Sequence, residues 1–335
     1  MAERETRGED ALIQSKFAPL ASGFPGALGL MDDCAVLTPP AGMDLVLTTD
    51  AVAEGVHFFP DDAARDIAWK ALAVNVSDLV AKGAQPLAYL LALSFPERPD
   101  DAWLADFQAG LADAQAAFGL SLAGGDTDRR PGPMSISVTA VGAVSQGTFV
   151  ERATARPGDL LFLSGTLGEA ALGLLLRSDV SRAVAIGLDE AAAKALVARY
   201  LRPQPRLALA PVISAFASAA MDVSDGLVKD CGRLARASGV AAHIEGGRVP
   251  LSEPVRAAVA RSPDLFRLVL TGGDDYEVLA AVPPDRADAF RDAAAKSGVA
   301  VAEIGRIADG QGITVTGPDG HALDVGRGGW DHFPS

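Results

Sequence analysis

The stretch LVLTTDAVAEGVHFF, residues 45–59, holds the feature that most restricts this chain: an apolar run that breaks off in oxygen-bearing side chains. Leu45-Val46-Leu47 reads as part of a buried strand. Thr48-Thr49-Asp50 follows at once, and the chain then crosses Glu54-Gly55 to reach His57 among apolar residues. The same grammar of apolar run, small residues and aspartate returns elsewhere. It places Asp32-Asp33 in GLMDDCAVL, Asp78 in NVSDLVAKGA, Asp126 in LAGGDTD, Asp222 and Asp225 in MDVSDGL, and Asp274-Asp275 in LTGGDDYEVL. Strand ends are where α/β proteins build sites, because the backbone there is fixed while the side chain faces solvent.

Between these motifs the pattern alternates between strand and helix periods. Residues 44–49 read as a strand, and Pro60-Asp61 opens a helical stretch over 61–82 with Ile67, Leu72, Val76, Leu79 and Val80 at helical spacing. A strand over 87–94, an Ala-rich helix over 101–118 and strands over 120–123 and 134–144 complete a β-α-β-α-β-β order. Polar and turn residues gather at 145–157. Beyond them the spacing predicts a strand over 159–164, helices over 169–176, 189–200 and 206–218, and a short strand leading through MDVSDGL into a helix over 227–237. VLAAVP, VAEIGRI and ITVTG read as strands around a helix over 285–297. A chain of 335 residues is long for one core. Two domains are therefore expected, 1–148 and 149–335.

The charge balance removes several functions. A formal net charge of −14 leaves no basic face for a phosphodiester backbone, which argues against nucleic acid. The opening MAERETRGEDALIQSKF has no apolar core of a secretory signal, and apolar runs such as 87–95 are too short to span a bilayer. No membrane association and a cytoplasmic location are the expectation. Cys34 and Cys231 are too few for a disulfide framework or a thiolate metal site. Walker A, the GxGxxG fingerprint, the protein-kinase motif set and a GxSxG elbow are all absent, and the four histidines show no paired spacing.

What remains is oxygen. Singly, each aspartate also has a plain reading: Asp225 before Gly226-Leu227 can cap a helix, Asp126-Thr127 can form an Asx-turn, and Asn75, Asp78 and Lys82 can be a solvated stripe on an apolar helix. The pairs Gly124-Gly125 and Gly272-Gly273 permit close approach of a ligand and mark ordinary tight turns equally well. Together, hard oxygen donors on an acidic chain point to Mg²⁺ bridging phosphates. Two like charges about 4 Å apart repel by roughly 1 kcal/mol in water and about 4 kcal/mol at an effective dielectric near 20. Carboxylate-held Mg²⁺ offsets that repulsion when one phosphate attacks another. A phosphate monoester is already anionic near neutral pH, so such a reaction needs no general base.

The motifs MDDCAVL, LTTDAVAEGVHF, KALAVNVSDLVAKGAQP, LAGGDTD, RATARPGDLLFLSGTLG, MDVSDGL, TGGDDYEVL and GGWDHF stand in the order seen in thiamine-monophosphate kinases, which the chain resembles over nearly its whole length. That family belongs to a superfamily that resembles aminoimidazole-ribonucleotide synthetase in fold. The resemblance implies an α+β (mixed α/β) architecture of two domains. The N-terminal mixed sheet would carry helices on one face and pair in a homodimer, and the C-terminal α+β domain would complete the active site. It implies transfer of the ATP γ-phosphoryl group to thiamine monophosphate, giving thiamine diphosphate, by direct in-line displacement with several Mg²⁺. Asp33, Thr48, Thr49, Asp50, Asp78, Asp126, Asp222 and Asp225 would hold the metal, while Gly125, Asp126, Arg152 and Ser224 would contact ATP. His57, Asp274 and Trp330 would contact thiamine monophosphate. No covalent or general-base residue is implied.

The residue types suit these roles. Arg152 is a fixed cation for phosphate oxygens, and Trp330 offers an aromatic face to a cationic thiazolium. Trp330 as C-terminal packing and His57 as a satisfied core histidine stay open. Two positions depart from the family's pattern: Met31 stands where Gly usually precedes the Asp-Asp pair, and Asp274 where Glu is common. Two other readings are carried. Another synthetase of the superfamily would need features this chain lacks, such as a reactive Cys with a Lys in an N-terminal glycine-rich segment or a Cys-bearing tail. A non-catalytic sensor of nucleotide or thiamine diphosphate would show lost metal ligands, and every expected ligand is present.

Overall fold

The protein was analysed as a computed structural model, which describes residues 9–326 and 328–330. The last residues of the GGWDHF motif, Asp331-His332-Phe333, lie outside the described part. The backbone divides into two compact units. One holds residues up to Leu79 with Gln85–Gly147, and the other holds Val80–Ala84 with Thr148 onward.

The first unit is built on a four-stranded sheet of β1 (Met43–Ala53), β2 (Gln85–Phe95), β3 (Ser121–Arg129) and β4 (Ser135–Ser145), in the order β1-β4-β2-β3. β4 runs antiparallel to both β1 and β2, while β2 and β3 are parallel, as a crossover through a helix requires. Two long helices serve this sheet, α1 (Ala64–Ala81) and α2 (Asp101–Phe118). From Ile67 to Ala81 every residue of α1 is buried except Asp78. An apolar helix of this kind can only be a core element. α2 packs close against it, for a Cβ at Gly110 would come within 2.3 Å of the Arg65 carbonyl oxygen. α2 itself starts at Asp100, whose carboxylate accepts from Trp103 N, and ends at Gly119.

Alternation sorts the sheet into two faces. Val46, Val52, Ile136, Val138, Ala140, Leu91 and Leu93 share the buried face by register. Leu47 and Leu90, 66% and 44% exposed, lie on the opposite face.

The second unit holds a six-stranded mixed sheet in the order β10-β7-β9-β5-β8-β6, comprising β5 (Leu160–Ser164), β6 (Ala219–Val223), β7 (Ala241–Glu245), β8 (Glu277–Val282), β9 (Val301–Ala308) and β10 (Gly312–Thr316). Every residue of β6 and β8 is buried. β6 is an edge strand, yet its backbone is not left open: Ala220 N donates to the Glu151 carbonyl at 3.3 Å, and Lys82 Nζ donates to the Ala220 carbonyl at 2.6 Å. The helices that position the site are α3 (Glu169–Ser178), which follows β5, and α4 (Leu227–Ser238), which follows β6.

The mixed α/β class and the β-α-β-α-β-β order of the first unit agree with the sequence. Local differences have physical reasons. β1 does not stop at Thr48-Thr49-Asp50 but stays paired with β4 to Ala53, since an edge strand keeps its ladder whatever side chains it carries. β3 likewise runs through Gly124-Gly125-Asp126. The expected helix over 206–218 is a 3₁₀ turn, Leu207–Leu209, followed by the short helix Ala210–Phe216. β7 and the helices Glu253–Arg261 and Leu265–Thr271 have no counterpart in the sequence reading. Among the described residues, no helix is long and apolar enough to cross a membrane.

Candidate active site

In the first unit the oxygen donors meet where β1 passes α1. Thr48 Oγ1 donates to Asp78 Oδ2 over 2.6 Å, and Asp50 N donates to Asn75 Oδ1 over 2.9 Å. Asn75 is fully buried and its own amide is anchored to the Ala71 carbonyl at 3.0 Å. The i, i+3 spacing of Asn75 and Asp78 therefore sets one residue to hold the strand and the next to present a carboxylate. Lys82 does not continue this stripe. It lies past the end of α1, with its ammonium group on the Ala220 carbonyl of β6.

Alternation separates the three residues of Thr48-Thr49-Asp50. Thr48 and Asp50 share the helix side of β1, whereas the Thr49 hydroxyl donates to the Val138 carbonyl and accepts from Thr139 Oγ1, both at 3.1 Å. Asp126 lies at the far side of the sheet. Asp50 pairs with Val138, Val138 with Leu91, and Leu91 with Gly125, so three strand spacings, about 14 Å, separate the two aspartates. Two ligands of one Mg²⁺ lie within about 4 Å of each other. Asp126 and Asp50 of a single chain thus cannot share an ion. Gly125 is required by packing, since a Cβ there would lie 1.9 Å from the Leu91 carbonyl oxygen. Asp33 sits in an exposed loop ahead of β1. Met31 adopts φ −105°, ψ −7°, so its side chain puts no strain on that turn.

His57 follows β1 in a tight turn. Its Nδ1 accepts from Ala53 N at 3.1 Å, and its carbonyl accepts from Lys70 Nζ at 2.9 Å. An accepting Nδ1 puts the proton of the neutral ring on Nε2, which makes His57 a donor at its outer nitrogen.

In the second unit the site is a junction of three backbone segments. Tyr276 N donates to the Val223 carbonyl and Asp274 N to the Ser224 carbonyl, both at 2.9 Å, and Trp330 N donates to the Asp225 carbonyl at 3.0 Å. Glycine allows this approach: a Cβ at Gly273 would lie 2.4 Å from the Ser224 oxygen, and one at Gly329 would lie 2.4 Å from the Asp225 oxygen. Ser224, Asp225, Asp274 and Trp330 are thereby brought together. Asp274 and Tyr276 both take positive φ, 70° and 51°, a strained conformation for residues with side chains. The Tyr276 hydroxyl donates to Asp274 Oδ1 at 3.2 Å and fixes the shorter carboxylate. Asp222 lies just upstream on β6 and is buried.

Asp225 is already paired with Lys229 Nζ at 3.3 Å and Arg233 Nη1 at 2.6 Å, one and two turns into α4. Arg152 is not part of this junction. Its carbonyl accepts from Ser238 at the last turn of α4, a helix of 12 residues and so about 18 Å from the end that carries Ser224.

Two carboxylates supporting the junction had no role in the sequence reading. Asp230 is completely buried and accepts from Ser224 N at 3.0 Å, Asp225 N at 2.8 Å and Arg233 Nη1 at 2.8 Å. Burial raises its pKa against these donors. Its signal was available, an acidic residue in the first turn of a helix behind two backbone donors. Asp275 is 1% exposed and accepts from Gly168 N at 2.8 Å and Ala170 N at 3.1 Å at the start of α3. Burial pushes it up to about 7, against those two donors and nearby Arg199. Two residues on, buried Glu277 accepts from Arg206, Arg199 and Ser164.

Among the described residues, no three of His, Cys, Asp and Glu form a ready-made cation cage. The donors that do meet, a hydroxyl and carboxylates, suit a hard cation that retains water.

Two family profiles match the chain, AIR synthase related protein N-terminal domain over residues 31–144 and C-terminal domain over 156–318. The chain is 42% identical over 317 residues to the thiamine-monophosphate kinase of Caulobacter vibrioides, covering 94% of this chain and 88% of that one. It is 37% identical over 328 residues to the thiamine-monophosphate kinase of Escherichia coli K12, covering 97% and 98%. The crystal structure of thiamine-monophosphate kinase from Stenotrophomonas maltophilia K279a superposes with TM-score 0.81 at 40% identity, over 92% of this chain and 98% of that chain. AaThiL complexed with AMPPCP and TMP superposes with TM-score 0.76 at 34% identity, over 98% of each chain.

Proposed function

Because the chain belongs to the thiamine-monophosphate kinase family, within the AIR synthase related proteins, we propose that it transfers the γ-phosphoryl group of ATP to thiamine monophosphate by direct in-line displacement. The observation that carries this reading is the match to AaThiL, which runs through 98% of both chains in a complex with AMPPCP and TMP.

In this reading a phosphate oxygen of thiamine monophosphate forms a bond to the γ-phosphorus while the bond to ADP breaks. The products are thiamine diphosphate and ADP. The nucleophile is already anionic, so no side chain has to remove a proton. Asp33, Thr48, Thr49, Asp50, Asp78 and Asp126 of the first unit and Asp222 and Asp225 of the second are the residues that would hold Mg²⁺. Bound Mg²⁺ would supply the positive charge that offsets phosphate repulsion. Support comes from the 2.6 Å Thr48–Asp78 contact and from Asp78 being the single residue of the 67–81 run that is not buried. With its hydroxyl engaged on β4, Thr49 would contribute its backbone carbonyl.

Gly125, Asp126, Arg152 and Ser224 would bind ATP, with Arg152 neutralising phosphate oxygens. His57 would donate from Nε2 to the acceptor phosphate. Asp274 and Trp330 would face the cationic ring of the acceptor, the one by charge and the other by its aromatic face. A homodimer fits the same geometry. Leu47 and Leu90 expose apolar surface on the sheet face that also carries Asp126 by register, so a second copy covering that face would bring Asp126 to another chain's site.

The test is chromatography of products after incubation with ATP, Mg²⁺ and thiamine monophosphate. Thiamine diphosphate and ADP should appear in equal amounts, and both should vanish with EDTA or in Asp50→Ala. ATP binding without diphosphate formation would overturn the assignment.

A further inference from the structure

The Lys229 side chain has no part in the reading above, yet it joins two of the segments that build the second unit's junction. Its ammonium group lies 3.3 Å from Asp225 Oδ2 and also donates to the Trp330 carbonyl. Its backbone N–H donates to the Gly328 carbonyl at 3.0 Å. From the other side, Trp330 N donates to the Asp225 carbonyl at 3.0 Å. The segment 328–330 is seated so closely that a Cβ at Gly329 would come within 2.6 Å of Lys229 Cβ. A short segment with an exposed tryptophan needs such hydrogen bonds to hold one position. Of the four contacts only the two made by the ammonium group depend on the side chain at 229. The other two are backbone bonds that do not depend on which residue stands there.

We propose that Lys229 is a positioning residue, a strap whose ammonium group ties the Trp330 carbonyl to the Asp225 carboxylate and so holds Trp330 beside the turn after β6. The proposal rests on the reading of Trp330 as an acceptor contact for its functional half, and on geometry alone for its structural half. A charge-assisted hydrogen bond to a carbonyl is among the stronger polar contacts available at a partly exposed site. Lysine's four-carbon stem reaches both oxygens from α4, which shorter or neutral side chains do not.

The experiment compares the full-length protein with Lys229→Met, Lys229→Gln and Lys229→Arg. Emission from Trp330, isolated by subtracting the spectrum of Trp330→Phe, is followed under acrylamide quenching. The quenching constant should rise at least about twofold in Lys229→Met and Lys229→Gln and return towards wild type in Lys229→Arg. Steady-state kinetics should show KM for thiamine monophosphate raised roughly tenfold in the two neutral variants, with kcat and KM for ATP within about twofold of wild type. Unchanged quenching in both neutral variants overturns the strap, whatever the protein catalyses. Raised quenching with an unchanged KM overturns its part in acceptor binding. If the wild-type protein forms no thiamine diphosphate, the proposed function fails, and quenching still decides the strap by itself.

Discussion

Asp78, within the last turns of α1, and Asp225, in the turn between β6 and α4, are proposed cation ligands of the two units, and their surroundings are opposite. Asp78 projects from a helix that is otherwise buried from Ile67 onward, and it meets a neutral hydroxyl at 2.6 Å. Asp225 sits on a turn assembled from three backbones and meets a guanidinium at 2.6 Å and an ammonium at 3.3 Å. A cation arriving at Asp78 displaces a neutral partner. One arriving at Asp225 competes with positive charges already in place. The same residue type, in the same sequence grammar, is thus poised in one unit and occupied in the other. Motif spacing does not reveal this, because the difference lies in what the fold brings alongside.

The comparison is put at greatest risk by Asp78→Asn, which removes the charge while leaving an oxygen to accept from Thr48. If Asp78 acts by holding a cation, turnover should fall roughly a thousandfold, several kcal/mol in the barrier, while the unfolding midpoint moves little. Product formation at saturating substrates measures the first and urea unfolding the second. A loss below about tenfold would mean that the hydroxyl–carboxylate pair is only a packing contact between β1 and α1.

The backbone-built junction makes its own demand. Asp275 holds the strained Asp274–Tyr276 segment to the start of α3, so Asp275→Asn should act on stability, and in a pH-dependent way. Its folded pKa, about 7, lies above the usual 3.8. A raised carboxylate contributes its full stability below the unfolded value and loses it as pH rises through the folded one. The wild-type advantage over the variant should therefore be largest near pH 4 and shrink by pH 8. At low pH the variant should be the weaker by about 1–3 kcal/mol, since its amide can accept from only one of Gly168 N and Ala170 N. Urea unfolding at pH 5 and pH 8 measures both. A gap that widens with pH would show that the two backbone donors, and not burial, govern this carboxylate.

Part of this is legible in the sequence. Helix α2 is legible from its Ala-rich repeat over 101–118, and in the structure Asp100 and Gly119 cap the two ends. In the sequence β1 and β3 end early for one reason: glycine, threonine and aspartate read as strand ends. In the structure Thr48–Ala53 and Gly124–Arg129 are paired strand. Edge position removes the need for apolar side chains, and in β3 the missing Cβ at Gly125 admits the Leu91 carbonyl. The period-two consequence was therefore invisible, with Thr49 turned from Thr48 and Asp126 from Asp50. Asp230 and Asp275 were missed because a buried carboxylate serving backbone donors has the same sequence appearance as one facing solvent. Lys82 falls on the Asn75–Asp78 stripe in the sequence because helical spacing continues past Ala81, where the helix has ended.

The smallest expected effect sharpens the comparison most. If Asp225 is a cation ligand held by internal cations, removing one of them should make it a better ligand. Lys229→Met should bind Mn²⁺, used as a spectroscopic substitute for Mg²⁺, roughly two- to fivefold more tightly than wild type, the range expected for a partly exposed ion pair. The corresponding neutral change at Asp78's partner, Thr48→Val, should weaken binding instead, because it removes an oxygen donor and adds no charge. Electron paramagnetic resonance of free Mn²⁺ during titration reads both constants without turnover. Opposite signs in the two variants would establish one poised and one occupied carboxylate. Weaker binding in both would make Lys229 a support of the cation site and not its competitor, and the contrast between the units would then be one of construction alone.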